Sequence, residues 1–296
     1  MANKALPAVK NAETVVENVE PVIKNAAPVV EKAEPAVEEA TKPAAEKTVE
    51  TSVESVEASE TILAEQLTPS PQPSGNYTGY TEPVGKFKKH KFRQGFSSRF
   101  YHSYLGKNAR ANVPHQTVVL LHGSGRTGIS QLDMWKETAD LHNLYLIAPD
   151  SYSGNEWSTF TSHRNFFQGL IEHAGEEALI NKDQVYLFGH ASGGRLATKL
   201  AAKQALPFRA IATHAGFENA DTLGMVELGL PKQVPISFYL GEDDHLFKVD
   251  AANATANKFV KAGHDVRLFV IPDHTHWYYS IGPQLNKLIW AHISQK

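Results

Sequence analysis

From residue 117 onward the chain alternates two hydrophobic patterns. Short apolar runs at 117–121, 144–148, 185–188, 210–213, 236–240 and 266–271 read as strands. Between them, segments near 130–142, 163–180, 195–205, 250–262 and 282–293 carry apolar residues at helical spacing. The strand runs are continuously apolar rather than alternating, which indicates a sheet covered on both faces. Strand–helix–strand repetition indicates parallel pairing through right-handed crossovers. The expected fold is therefore α/β, a doubly wound, mostly parallel sheet, with ligands bound beyond the carboxyl ends of the strands.

The first 79 residues follow another pattern. Residues 1–76 hold no aromatic residue, no His and no Arg, and they carry thirteen Glu against six Lys. Prolines at 21, 28, 35 and 43 interrupt any helix at each recurrence. Without large apolar side chains such a segment does not offset its ordering entropy. We therefore expect a disordered acidic arm; the alternative is a weakly amphipathic helical segment that docks on a surface or protein partner. Gln66 to Gly79, with Pro69, Pro71 and Pro73, reads as a linker, and residues 80–296 as one domain. The run Lys86-Phe87-Lys88-Lys89-His90-Lys91-Phe92-Arg93 is basic and aromatic. It reads as a β-hairpin with a solvated face, because the domain's charge is near neutral and gives no wider footprint for nucleic acid. The chain of 296 residues has no cysteine, so disulfides, thiolate catalysis and Cys-ligated metals are excluded. No run of eighteen apolar residues occurs, and the first twenty residues lack a basic start followed by an apolar core. The expectation is a cytoplasmic protein without signal peptide or transmembrane segment.

Candidate chemistry sits just past the strand ends. Leu121-His122-Gly123-Ser124-Gly125 follows the first strand, and Gly-rich turns of this kind aim backbone N–H groups at a developing oxyanion. Val185 to Phe188 leads into Gly189-His190-Ala191-Ser192-Gly193-Gly194, a Gly-x-x-x-Gly turn running into a helix. In a nucleophile elbow the central residue is Ser, and the small flanking residues relieve crowding. Here the central residue is Ala191. A shifted frame centred on Ser192 would put His190 where the turn wants a small residue; unshifted, the Ser192 hydroxyl points away from a base. Oxyanion donors would be the amides of Ser124 and Ser192. Gly241-Glu242-Asp243-Asp244 offers an acid to orient an imidazole, Asp244 by spacing and Asp243 as second choice. Pro272-Asp273-His274-Thr275-His276 offers the base, His276 ahead of His274. A metal pair at His274 and His276 lacks further ligands, so no metal is expected. Tyr152, Trp157 and Trp277 are candidate substrate walls. The chain order 191, 244, 276 is that of nucleophile, acid and base in one hydrolase architecture.

These segments resemble the α/β-hydrolase superfamily over residues 85–296. More narrowly they are similar to its esterase branch of polyhydroxybutyrate depolymerases, feruloyl esterases and esterase-D-type enzymes. The carrying phrases are Val119-Leu120-Leu121-His122-Gly123, Ile147-Ala148-Pro149-Asp150, the elbow, Gly241-Glu242-Asp243-Asp244 and His276-Trp277-Tyr278-Tyr279. The last is similar to a His-x-Tyr-Tyr phrase of esterase-D-type enzymes and favours His276. The resemblance implies hydrolysis of small-molecule or polymeric carboxylic esters through an acyl-enzyme, without a cofactor. With Ala191 in the Ser place, the expectation for this chain is little or no turnover. The alternative is a non-catalytic pseudo-hydrolase that binds or scaffolds, its acidic arm meeting a partner or granule surface.

Overall fold

The computed structural model describes residues 62–73, 79–95, 97–158, 164–203, 208–223 and 233–296. Residues 1–61 of the expected arm lie outside them, as do residues 74–78 of the expected linker. Nine strands form one sheet in the order β1-β9-β8-β7-β6-β4-β5-β3-β2. They are β1 (Glu65–Gln66), β2 (Lys88–Gln94), β3 (Ser97–Leu105), β4 (His115–Leu121), β5 (Tyr145–Pro149), β6 (Ile180–His190), β7 (Ile211–His214), β8 (Ile236–Gly241) and β9 (Val266–Ile271). Pairing is parallel except at β2/β3 and β3/β5. The helices are α1 (Gly128–His142), α2 (Arg164–Ala174), α3 (Ser192–Lys203), α4 (Ala220–Leu223), α5 (Val249–Lys261) and α6 (Gly282–Ile293).

The period of two in the strands divides the core. Val118, Leu120, Tyr186 and Phe188 pack with α1 and α6 on one face. Val119, Leu121, Val185 and Leu187 pack with α2, α3 and α5 on the other. Both faces are covered, which is why the strands read as unbroken apolar runs. From β4 the chain crosses to β5 on one side, then to β6 on the other. The loops after β4 and β6 therefore diverge and leave a crevice at this switch of direction. The basic run at 86–93 forms the predicted hairpin, with Phe92 turned into the core.

Two segments differ from expectation. Helix α2 stops at Ala174, and a turn through Leu179 precedes β6, whose first residue pairs with His115. The apolar spacing had continued into Ile180 because that side chain packs against the same core cluster from a strand. Second, packing of the described residues begins at Ile62, ahead of the expected boundary at Tyr80. β1 pairs with the edge strand β9, and the Leu67 N–H donates to Val270 O at 2.8 Å. Beyond it the Gln72 N–H donates to the Gln284 side chain at 2.6 Å. An edge strand presents unpaired backbone groups, and this short extended piece satisfies some of them. No helix among the described residues is long and apolar enough to cross a membrane.

Close approach of backbones at the β6–α3 turn demands glycine. A Cβ on Gly189 would strike the Gly193 carbonyl, and one on Gly193 the Leu121 carbonyl. Nothing lies within 4 Å of a Cβ built on Gly169 in α2. We predict that Gly189→Ala lowers stability by about 1–3 kcal/mol, whereas Gly169→Ala raises it by up to about 1 kcal/mol. Denaturant midpoints compare the two, and equal effects would remove the crowding argument.

Candidate active site

Ala191 lies at the tip of the β6–α3 turn with φ 49°. Its N–H donates to His214 O at 3.1 Å, and its carbonyl accepts from the Arg195 N–H at 3.0 Å. A left-handed conformation is unfavourable for a residue with a Cβ, so the surrounding bonds and the absence of side chains at 189, 193 and 216 hold it there. A Cβ on Gly216 would strike the Ala191 carbonyl. The tip thus has the strained geometry of an elbow and a methyl group where such a turn presents a hydroxyl.

Asp244 and His276 come together beside it. Asp244 is buried; its Oδ2 accepts from His276 Nδ1 at 3.0 Å, and its Oδ1 accepts from the N–H groups of Leu246 at 2.8 Å and Phe247 at 3.0 Å. Burial alone would raise this carboxyl; the His276 and backbone hydrogen bonds outweigh it and hold the group below the usual range. His276 is packed between Phe247, stacked at 5.7 Å, and His190 at 5.2 Å. Its Nδ1 is committed to Asp244, so Nε2 is the nitrogen free to exchange a proton. The alternatives go elsewhere. Asp243 is exposed, and His274 Nε2 meets His214 Nε2 at 3.2 Å.

A cleft of about 330 Å³ joins these parts. Gly123, Ser124, His190, Ala191, Ser192 and His276 border it. Leu246, Phe247, Trp277 and Tyr279 give it apolar walls, and Arg126, Glu156 and Arg195 its charges. As the first residue of α3, Ser192 has an amide with no intrahelical acceptor. Its hydroxyl is buried from solvent and has no hydrogen-bond partner, a placement unsuited to attack on a ligand. His122 secures the loop after β4: Nδ1 donates to Gly123 O at 2.9 Å, and Nε2 accepts the Ser151 N–H at 3.0 Å.

Of the three expected walls, only Trp277 borders the cleft. Trp157 is 5% exposed, packs near Phe166, and its indole N–H donates to His122 O at 3.1 Å. Its ring is core and its polar end supports the β4 loop, so it is not a wall. Tyr152 is 78% exposed and covers the Arg99 guanidinium, outside the cleft lining. Sequence reasoning passed over Phe247, three residues beyond Asp244, and Arg126, just beyond the Gly-rich turn. It also passed over His214, which ends β7 with no motif around it.

Three buried imidazoles form a chain behind the cleft. His190 Nδ1 lies 3.1 Å from His214 Nδ1 and 3.2 Å from His214 O, and His214 Nε2 reaches His274. A carbonyl needs a donor, so His190 Nδ1 carries hydrogen, His214 donates from Nε2, and His274 accepts at Nε2. Burial pushes His190 down to about 3, His274 to about 4, and His214 well below the ordinary imidazole value. Among the described residues no group of three or more His, Cys, Asp or Glu side chains is placed to hold a metal ion.

Comparison with known proteins follows the same lines. The chain has the α/β-hydrolase fold. A ferulic acid esterase superposes with a TM-score of 0.59 at 13% identity, over 71% of this chain and 98% of that one. Fluorophosphonate-binding serine hydrolase F of Staphylococcus aureus gives 0.55 at 15% identity, over 70% and 97%. An S-formylglutathione hydrolase of Agrobacterium tumefaciens gives 0.54 at 14%, over 70% and 94%. The dienelactone hydrolase family model matches residues 147–286, from β5 through the elbow, Asp244 and His276 into α6. A search among curated proteins finds no match.

The imidazole chain makes stability depend on pH. Unfolding releases histidines that bind protons near pH 6.5, while the folded protein keeps them neutral to about pH 4 or below. The unfolded state then binds more protons, so stability rises with pH across this window. We predict a progressive loss of unfolding free energy from about pH 7 towards pH 4 in urea titrations. A flat profile between pH 7 and pH 5 would refute the neutral-imidazole assignment.

Proposed function

We propose that the cleft is the site of a carboxylic ester hydrolase of the serine type, and that Ala191 leaves this chain with little or no turnover. The observation that carries the reading is the Asp244–His276 hydrogen bond of 3.0 Å on the same cleft as the left-handed tip at 191. With a serine there, His276 Nε2 would take the hydroxyl proton as attack begins. Asp244 would hold the imidazolium, and the amides of Ser124 and Ser192 would stabilise the oxyanion. Alanine has no oxygen to acylate. Loss of a nucleophile typically lowers kcat on the order of 10⁶-fold, about 8 kcal/mol in barrier. The substrate is a small-molecule or polymeric ester: Leu246, 61% exposed, and Trp277, 38% exposed, leave the apolar wall accessible to a bulky chain. No cofactor enters this chemistry.

A second reading is a pseudo-hydrolase that binds without cleaving. Ala191 favours it, since the binding geometry outlasts the lost hydroxyl. The acidic arm would then meet a protein partner or granule surface.

Ala191→Ser tests the first reading. We predict a burst of p-nitrophenol from p-nitrophenyl acetate and a steady rate roughly 10⁴–10⁶-fold above the unchanged chain. His276→Ala or Asp244→Asn in the same background should remove most of the gain. A serine variant no faster than its parent would count against an esterase site.

A further inference from the structure

Beside the exposed carboxylate of Glu156, the cleft gathers a free imidazole nitrogen, a helix-terminal amide and a guanidinium. His276 spends Nδ1 on Asp244 and has no partner at Nε2 among the described residues. Ser192 offers the first amide of a twelve-residue helix, the end at which the helix favours negative charge. Arg126 gives one of its five N–H donors to Tyr80 O at 3.2 Å. Its guanidinium sits over the rings of Tyr80 at 5.3 Å and Tyr279 at 5.0 Å. No carboxylate among the described residues forms an ion pair with it: nearby Glu82 is committed to Thr127. Arg195, by contrast, is paired with Glu218. At Ala191 the missing hydroxyl leaves room for a ligand oxygen beside these donors.

We infer that the Ala191 cleft is a receptor for a free monocarboxylic acid with an aromatic or aliphatic body, held by its carboxylate. An ester brings one good acceptor and no charge; a carboxylate brings two acceptors and the charge that Arg126 and the α3 terminus lack. One oxygen takes the place of the absent hydroxyl against His276 Nε2, and the other lies at the amides of Ser192 and Ser124. The apolar body lies along Phe247, Leu246 and Trp277. The inference rests on the cleft proposed above as an ester site, and it names the ligand that site retains once acylation is removed.

Binding through His276 Nε2–H to an anion takes up one proton. The titratable and charged groups facing the imidazole and its ligand are Asp244, the buried His190, His214 and His274, Arg126 with nearby Glu82, Arg195 and Glu156. Asp244 stays ionised, and burial keeps His190 and His274 from charging above about 3 and 4. Glu156 is exposed and solvated, so it opposes the ligand weakly. Proton uptake on binding is therefore assigned to His276, and acid affinity falls as pH rises.

Calorimetry on the unmodified chain tests this with butyrate, benzoate and their methyl esters at pH 6, 7 and 8. Buffers of different ionisation enthalpy count the protons. The expected result is acids bound at least about tenfold more tightly than esters at pH 6, with proton uptake on binding that grows as pH rises to 8. Arg126→Met should weaken the acids about five- to tenfold and the esters by less, and His276→Asn should abolish the pH dependence. Esters bound as tightly as acids, or acid affinity independent of pH in the unmodified chain, would overturn the inference. The Ala191→Ser assay separates the two proposals. A variant that hydrolyses esters while its parent ignores acids sinks this inference alone; acid binding without rescue sinks the esterase reading alone.

Discussion

Everything at this site depends on how closely backbones approach at the end of β6. Gly189 and Gly193 let the turn fold onto itself and onto β4, and Gly216 lets the chain leaving β7 pass the carbonyl of Ala191. A Cβ at any of the three would meet a peptide group, which cannot move aside as a flexible side chain can. The crowding fixes Ala191 in a left-handed conformation that an isolated alanine avoids. Ala215 after β7 and Asp273 after β9 have positive φ as well, 46° and 54°. Three strands, β6, β7 and β9, therefore end in a sharp left-handed step.

The same constraint organises the electrostatics. Because the Ala191 N–H is tied to His214 O, the ends of β6 and β7 are held in register, with His190 opposite His214. Imidazoles buried against one another stay neutral, since charging one means both desolvation and repulsion by the others. Asp244, also buried, keeps its charge because two backbone amides and an imidazole donate to it. Burial thus acts in opposite directions on neighbouring groups, and hydrogen bonding decides which is ionised. The outcome is a single exchangeable imidazole, His276, at the cleft.

Much of this was legible in the sequence because local rules carried it. The continuous apolar runs marked six of the seven strands that pair in parallel among the described residues, and α6 lies where its spacing placed it. The Gly-x-x-x-Gly turn marked the tip, and the order 191, 244, 276 fits one crevice because the strands that carry these residues share a direction. Asp244 was favoured over Asp243 by spacing and His276 over His274 by its place after the proline; in the structure Asp244 meets His276, while His274 turns to His214. Less legible were contributions with no local pattern. Tyr152 and Trp157 looked alike as aromatics after a strand, yet one is solvated and the other is core. The pairing of 65–67 with β9 was hidden by the prolines that follow it.

From its residues alone this protein reads as a doubly wound hydrolase-like sheet with an acid, a base and a missing hydroxyl in order along the chain. Period, glycine placement and strand direction are properties of neighbouring residues, so one dimension suffices to read them. The fold decided which imidazoles are buried together, that the Ser192 hydroxyl is shut away from solvent, and that Arg126 lies over aromatic rings without an ion pair among the described residues. Such facts depend on distances between residues tens to hundreds of positions apart, and on the exclusion of water that only packing produces.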